Sequence, residues 1–454
     1  MKAINPYTGK VIKDYAEHTP EEVTRIIEQV DQAWSGWRNP SFEIRSRCMY
    51  KLAALLGEQR DQLSELITGE MGKIRKEAAS EVEKCAWVCR YYAENAERFL
   101  KNEPVKTEAL ESYICYRPIG TVLAVMPWNF PFWQVFRFLA PTLMAGNTGI
   151  LKHASNVPGC SLAIEKLVAE AGFPENVFRT ILIPGSSVGS VIENPKIKAV
   201  TLTGSTPAGK SVAGKAGSLL KKTVLELGGS DPYLVLEDAD IETAARLCVS
   251  GRLLNAGQSC IGAKRFIVLE GVYEAFTTEF VKLMKEARYG DPNDDTVAIG
   301  PLSRKDLRDQ LHEQVTKSVE KGATIACGGF IPEGDHAFYP PTVLENVRPG
   351  MPAYEEELFG PVASLFRVKD EKEAVRIAND TAFGLGAAIF TSDMNKAREL
   401  AEKGLEAGNV FVNSFVKSDP RLPFGGVRES GYGRELSVFG IREFMNIKTV
   451  VIAS

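Results

Sequence analysis

The chain has 454 residues, 44% hydrophobic and 25% charged, with a formal net charge of −4. That is about three domains' worth of globular chain, and its charge gives no electrostatic case for nucleic acid or an anionic membrane surface. Eight cysteines without a C-x-x-C pair and only four histidines argue against a disulfide framework and a zinc centre.

Reduced thiols, no leader-like apolar stretch over residues 1–6 and no bilayer-length apolar run lead us to expect a cytoplasmic protein with no membrane association. Residues 20–101 read as helical. Thr19-Pro20-Glu21-Glu22 is a capped helix start, and Ile26, Val30 and Trp34, then apolar residues over 49–66, keep helical spacing. From 120 the pattern alternates, with strands at 121–126, 148–151, 178–183 and 199–203 and helices at 132–145, 159–171, 186–193 and 206–217. A second series has strands at 233–236 and 265–269 and helices at 240–254 and 272–287. Strands near 324–327, 362–367, 387–390 and 410–413 and helices at 371–379 and 394–404 follow. Such alternation implies α/β lobes built on parallel sheets with helices on both faces. The lobes meet near 228, and a cleft there is the expected ligand site. Segments 103–117 and 443–453 are β-rich and fit neither lobe. They are expected to pair as an edge sheet, which a partner subunit would cover.

Gly204-Ser205-Thr206-Pro207-Ala208-Gly209-Lys210-Ser211 fits the G-x-x-x-x-G-K-S phosphate loop, and Asp238 could pass for the acid of a second nucleotide motif. Pro207 interrupts the loop N–H donors, and the acid follows too soon. A dinucleotide pyrophosphate at a helix N-terminus is the better reading, although no G-x-G-x-x-G fingerprint follows any strand.

Glu226-Leu227-Gly228-Gly229 and Gly257-Gln258-Ser259-Cys260 place a carboxylate and a thiol among glycines, where backbone can approach a ligand closely. The apolar run Thr223-Val224-Leu225 puts Glu226 at the end of a strand. A thiol near a carboxylate suits covalent oxidation of an aldehyde: sulfur adds to the carbonyl, and the carboxylate later activates water against the thioester. Pro127-Trp128-Asn129-Phe130-Pro131 adds an amide that could hold the developing oxyanion, with the Cys260 backbone N–H as second donor.

These strings form one collinear series with Asn5-Pro6-Tyr7-Thr8-Gly9, Thr203-Gly204-Ser205-Thr206, Glu357-Leu358-Phe359-Gly360-Pro361 and Pro423-Phe424-Gly425-Gly426. The series resembles the aldehyde dehydrogenase superfamily, and within it most closely the short succinate-semialdehyde dehydrogenases. The resemblance implies two Rossmann-like α/β lobes with a small β oligomerisation element. A nicotinamide cofactor-binding domain would cover 1–102 and 118–227, a catalytic domain 228–442, and oligomerisation segments 103–117 and 443–454, in a homodimer or a dimer of dimers. It implies Cys260 as nucleophile, Asn129 as oxyanion donor and Glu226 as a hydrolytic base that swings between positions. Met126, Trp128 and Leu227 would line the cofactor path. Gly204 and Ser205 would meet the pyrophosphate, Lys152 the adenosine ribose, Glu357 the nicotinamide ribose and Phe359 the ring.

Lys152-His153-Ala154-Ser155 departs from the family's common Lys-Pro-Ser-Glu. A glutamate there would oppose a 2′-phosphate by roughly 4 kcal/mol at about 4 Å and an effective dielectric near 20. Ser155 removes that repulsion, so NADP is the expected cofactor, with NAD also accepted. By the same resemblance Arg137 binds the distal carboxylate of a semialdehyde, assisted by Ser418, a charge-assisted contact of about 1.5–3 kcal/mol. A second arginine of some relatives is Leu254 here, and the extra cysteine of redox-switched relatives is Gly262. The expected reaction is oxidation of succinic semialdehyde to succinate. The alternatives are another aldehyde such as glutaric semialdehyde, acyl release to coenzyme A, or cofactor binding without turnover.

Overall fold

In the computed structural model, which describes residues 1–334 and 336–453, the Thr19 hydroxyl accepts the Glu22 N–H at 3.2 Å. Glu22 Oε2 accepts the Thr19 N–H at 2.8 Å in return. This capping box starts the helix Pro20–Trp37, whose apolar stripe is Val23, Ile26, Ile27, Val30 and Trp37. Trp37, two turns beyond Val30, is the buried indole rather than Trp34, and its Nε1 donates to the Leu143 carbonyl at 3.0 Å. The apolar stretch over 49–66 is divided between helices Phe42–Glu58 and Arg60–Met71, which meet at Gln59, and Arg75–Phe99 completes the helical layer.

The first sheet has the order Gly431–Tyr432, Lys222–Glu226, Ile197–Thr203, Thr121–Met126, Thr148–His153 and Phe178–Thr180, all parallel except the first. Strand order reverses between Thr121–Met126 and Ile197–Thr203, so the loops leaving their carboxyl ends flank a crevice. Those loops carry Met126 to Asn129 and Gly204-Ser205. The second sheet runs Thr324–Cys327, Thr342–Glu345, Val362–Val368, Ala263–Leu269, Asp231–Val235, Gly386–Phe390 and Asn409–Val412, with only Thr324–Cys327 antiparallel. Only residues 227–230 separate Glu226, at the carboxyl end of one sheet, from Asp231, at the amino end of a strand in the other. Opposed strand ends therefore bound the cleft.

The two leftover β segments do pair. Glu111–Pro118 and Met445–Ile452 run antiparallel from Met445↔Pro118 to Ile452↔Glu111, with Glu103–Pro104 on the outer edge. Several details differ from the sequence expectation. The third strand stops at Thr180 rather than 183, because Leu182 turns to exchange hydrogen bonds with His18. The helix over 394–404 ends as α-helix at Glu399 and widens over Leu400–Gly404, where the Leu405 N–H reaches back five residues to the Leu400 carbonyl. The hairpin Lys2–Ile4 with Val11–Asp14, the helix Lys305–Glu320 and the strand Thr342–Glu345 carried no assignment. Residues 431–432 return to the first sheet, so the block 228–442 does not lie in one sheet.

A buried charge sets the start of the helix Trp133–Met144. Glu81 Oε1 accepts the N–H groups of Phe132 and Trp133, each at 2.9 Å, and Oε2 pairs with Lys73. Lys73 also lies 3.6 Å from the centre of the Phe130 ring. Breaking one half of such a pair leaves an uncompensated charge, at about 3–5 kcal/mol. Lys73→Met should therefore lower the unfolding free energy by about that amount in a denaturant titration, and a loss below about 1 kcal/mol would count against the pair as the anchor.

Candidate active site

The nucleophile loop is held in a shape that ordinary backbone disfavours. Asn255 and Ala256 take φ of 57° and 52° after the helix Ile241–Leu253. Gly257, with φ +73°, lies so close to Gly360 that a Cβ would sit 2.3 Å from its carbonyl. Asn255 Nδ2 donates to the Asn129 carbonyl at 2.7 Å and to the Gln258 carbonyl at 3.1 Å, while Glu77 accepts the Asn255 N–H with both oxygens. Asn129 is buried, and its Nδ2 donates to the Gln258 carbonyl at 3.0 Å. One N–H of that amide remains for an oxyanion. Cys260 is half-buried on the same loop. Glu226 is buried at the end of its strand, with neither carboxyl oxygen hydrogen-bonded.

The residues expected around a nicotinamide cofactor lie along the cleft. Of the three adjacent acids 355–357, only Glu357 turns inward, accepting the Gly229 N–H at 3.1 Å and pairing with Lys264 at 3.3 Å. Phe359 and Trp128 meet edge to face with centroids 5.8 Å apart. Ser205 begins the helix Thr206–Ser218 without capping it through its side chain, which leaves N–H groups for a phosphate. Lys152 and Ser155 line a cavity of about 820 Å³ together with Asn5, Gly185 and Arg304. Met126 and Leu227 are buried beside these loops. Such a donor set fits a dinucleotide cofactor.

The phosphate-loop resemblance dissolves in three dimensions. Gly209 is needed because a Cβ there would come within 2.6 Å of Leu227. Lys210 is an exposed partner of Glu429 at 2.8 Å. Asp238 accepts hydrogen bonds from Thr391, Ser392 and Asp393, which hold its carboxyl down to about 2.

A family model described as "Aldehyde dehydrogenase family" matches residues 1–450. The chain belongs to the aldehyde dehydrogenase family. It is 48% identical, over all of both chains, to a probable NADP(+) succinate-semialdehyde dehydrogenase of Synechocystis sp.. Identity is also 48%, again over all of both chains, to succinate-semialdehyde dehydrogenase [NADP(+)] 1 of Mycobacterium tuberculosis. A crystal structure of succinic semialdehyde dehydrogenase from Streptococcus pyogenes in complex with NADP+ superposes with a TM-score of 0.97. That protein is 37% identical, with 100% of each chain covered.

Within this aldehyde dehydrogenase the electrostatics of the cleft are unusual. Burial pushes the Cys260 thiol up to about 12; Arg137 and Lys264 pull it down, while Glu357 and Glu226 push it up. Burial also raises the Glu226 carboxyl well above its ordinary range, reinforced by Glu435 and opposed by Arg137. A protonated Glu226 does not repel a thiolate, so the two raised groups relieve each other.

Arg137 lies in the interior rather than on the solvent side of its helix. Its Nε is 2.7 Å from Glu435 Oε2, its guanidinium lies 4.8 Å from the Phe424 ring centre, and its Nη2 has no hydrogen-bond partner. Ser418 Oγ accepts from Trp133 Nε1 at 3.1 Å and from Lys84 Nζ at 2.9 Å.

Sequence reasoning missed several supporting groups. Lys264 donates to the carbonyls of Ser259, Cys260 and Gly262 at 3.0, 3.0 and 3.2 Å. A lysine beginning the apolar run Ala263–Leu269 was the available signal. His153, which burial lowers to about 4 and so keeps neutral, accepts the Ala154 N–H at Nδ1. Its Nε2–H therefore donates to the Pro131 carbonyl at 2.8 Å, tying the Asn129 loop to the Lys152 strand.

Alkylation of Cys260 by iodoacetamide in the cofactor-free protein should climb with pH without a plateau below about pH 9, because a raised thiol supplies little thiolate near neutrality. Lys264→Met should slow it further at fixed pH. Peptide mapping separates Cys260 from the half-buried Cys48 and Cys327, and a plateau near neutral pH would contradict the raised thiol.

Proposed function

We propose that this aldehyde dehydrogenase oxidises succinic semialdehyde to succinate with NADP+, NAD+ also being accepted. Relatives at 48% identity over the whole chain support this. The observation that carries the substrate is Arg137, a buried guanidinium with an unpartnered Nη2 on the helix face that also presents Trp133 to Ser418. A desolvated arginine is suited to a carboxylate.

The Cys260 thiol first loses its proton to solvent; the thiolate sulfur then adds to the aldehyde carbon, and the new alkoxide oxygen is held by the free Asn129 N–H and the Cys260 N–H. NADP+, when bound, would accept the hydride that must leave this carbon with its electron pair for the Cys260 adduct to become a thioester. Glu226 takes a proton from water as the water oxygen bonds to the acyl carbon. The C–S bond then breaks, releasing the carboxylate and regenerating the thiolate. One water is consumed, and two electrons leave with the hydride. Burial holds Glu226 toward its protonated form, so it must first give up that proton to solvent before it takes one from water. Glu226 also supports water over coenzyme A as the acyl acceptor.

On this reading, 1–102 with 118–227 bind the cofactor and 228–442 carry the nucleophile. Exposed Ile447, Val451 and Ile452 on the three-stranded sheet support a homodimer, or a dimer of dimers, through 103–117 and 443–454. Among the described residues no helix is long and apolar enough to cross a membrane. All eight cysteines are free, which supports a reducing, cytoplasmic setting.

The test follows nicotinamide reduction with succinic semialdehyde, glutaric semialdehyde and butanal, each with NADP+ and NAD+. Succinic semialdehyde with NADP+ should give the highest kcat/KM, and equal efficiency with butanal would overturn the substrate assignment. Cys260→Ala should abolish turnover, whereas Glu226→Gln should slow kcat by roughly 10²–10⁴-fold and accumulate acyl-enzyme visible by mass spectrometry. Ser155→Glu should cut the NADP+ over NAD+ preference by roughly 100-fold or more, through repulsion of the 2′-phosphate. An unchanged preference would remove Ser155 from cofactor selection.

A further inference from the structure

Lys84 is a half-buried cation that contacts a hydroxyl rather than a carboxylate. It lies three residues after Glu81 on the helix Arg75–Phe99, so it faces the same elements as Glu81. Its Nζ donates to Ser418 Oγ at 2.9 Å and lies 4.3 Å from the centre of the Trp133 ring. Trp133 Nε1 donates to the same oxygen at 3.1 Å. With both acceptor directions of the Ser418 hydroxyl used, its own proton points elsewhere and is left to donate. Arg137, one helical turn beyond Trp133, adds the unpartnered Nη2. Lys84, Trp133 and Ser418 thus meet, and Arg137 is near enough to act on the Lys84 charge.

Neighbouring acids are committed elsewhere. Asp419 is held by Arg421 at 2.9 and 2.7 Å, and Glu81 is held by Lys73 and two helix N–H groups. Two like charges sharing a partly desolvated region are mutually unfavourable; Glu435 offsets Arg137 from one side, and a substrate carboxylate between the two cations would relieve both.

We propose that Lys84 is a second, specificity-determining cation for the distal carboxylate of the substrate, acting with Arg137 and the Ser418 hydroxyl. The inference rests on the semialdehyde reading above and deepens it, because Leu254 offers no charge.

Burial, and then Arg137, lower the Lys84 ammonium to about 8, against smaller opposing effects of Cys85, Asp419 and Glu81. Its charge is therefore present below that pH and lost above it. Selectivity is best read as the ratio of kcat/KM for succinic semialdehyde to that for butanal, in which the titration of Cys260 cancels. This ratio should fall in the native enzyme as pH rises through about 8. Lys84→Met should lower it about tenfold or more near neutrality and abolish its pH dependence. Lys84→Arg, which stays charged, should keep most of the selectivity and lose the pH dependence.

An unchanged ratio in Lys84→Met would overturn the role of Lys84. So would proportional loss with both aldehydes, which would mark a merely structural residue. A native enzyme without preference for succinic semialdehyde would instead sink the semialdehyde reading, and this inference with it.

Discussion

The carbonyl of Gln258 takes amide N–H groups from Asn129 and Asn255 at 3.0 and 3.1 Å, and the candidate site depends on that junction. Asn129 leaves the carboxyl end of a strand in the first sheet, whereas Gln258 belongs to the loop entering a strand of the second. The shared carbonyl therefore sets where an oxyanion donor stands relative to the nucleophile. Two left-handed residues in that loop cost roughly 1–2 kcal/mol each. The bidentate Glu77 contact to the Asn255 N–H and the Gln258 side chain, which accepts the Ser303 N–H at 2.9 Å, contribute charge-assisted and neutral bonds of about 0.5–3 kcal/mol each. These opposing contributions are of similar size, which accounts for a strained loop held in one shape.

Around this junction the cleft balances few cations against several carboxyls. Arg137 stands between Glu226 and Glu435, and Lys264 between Glu357 and the carbonyls of the nucleophile loop. Burial dominates every shift, so the thiol and the Glu226 carboxyl are both held toward their neutral forms. A single cation, Arg137, thus acts on both Cys260 and Glu226, the proposed nucleophile and base. Chemistry and recognition share electrostatics here.

The parallel sheets and the loops that carry the candidate residues were legible because each announces itself locally. Alternating strands and helices give the parallel sheets, and glycines beside Glu226 and Cys260 mark backbone that must come close to something. The supporting shell was not legible. Lys84, Glu77, Glu81 and Lys73 sit on or before one amphipathic helix, where charged residues ordinarily read as solvent-facing. Their burial is decided by partners such as Ser418, 334 residues from Lys84. Thr342–Glu345 escaped because it is short and follows Pro340-Pro341, and 431–432 because two residues carry no period. Arg137 was legible as a candidate position, but its pairing with Glu435 required the return of the chain to the first sheet.

That return has a consequence for biogenesis. The edge of the first sheet, the Tyr92 hydroxyl bond to Ser437 across 345 positions and the counterion of Arg137 all come from residues 431–437, made after every other strand of both sheets. Until then a nascent chain with its early strands assembled would carry a naked guanidinium in its interior and an open sheet edge. Maturation of the cleft is consequently tied to the arrival of residues 431–437, which close the sheet edge and neutralise Arg137 together.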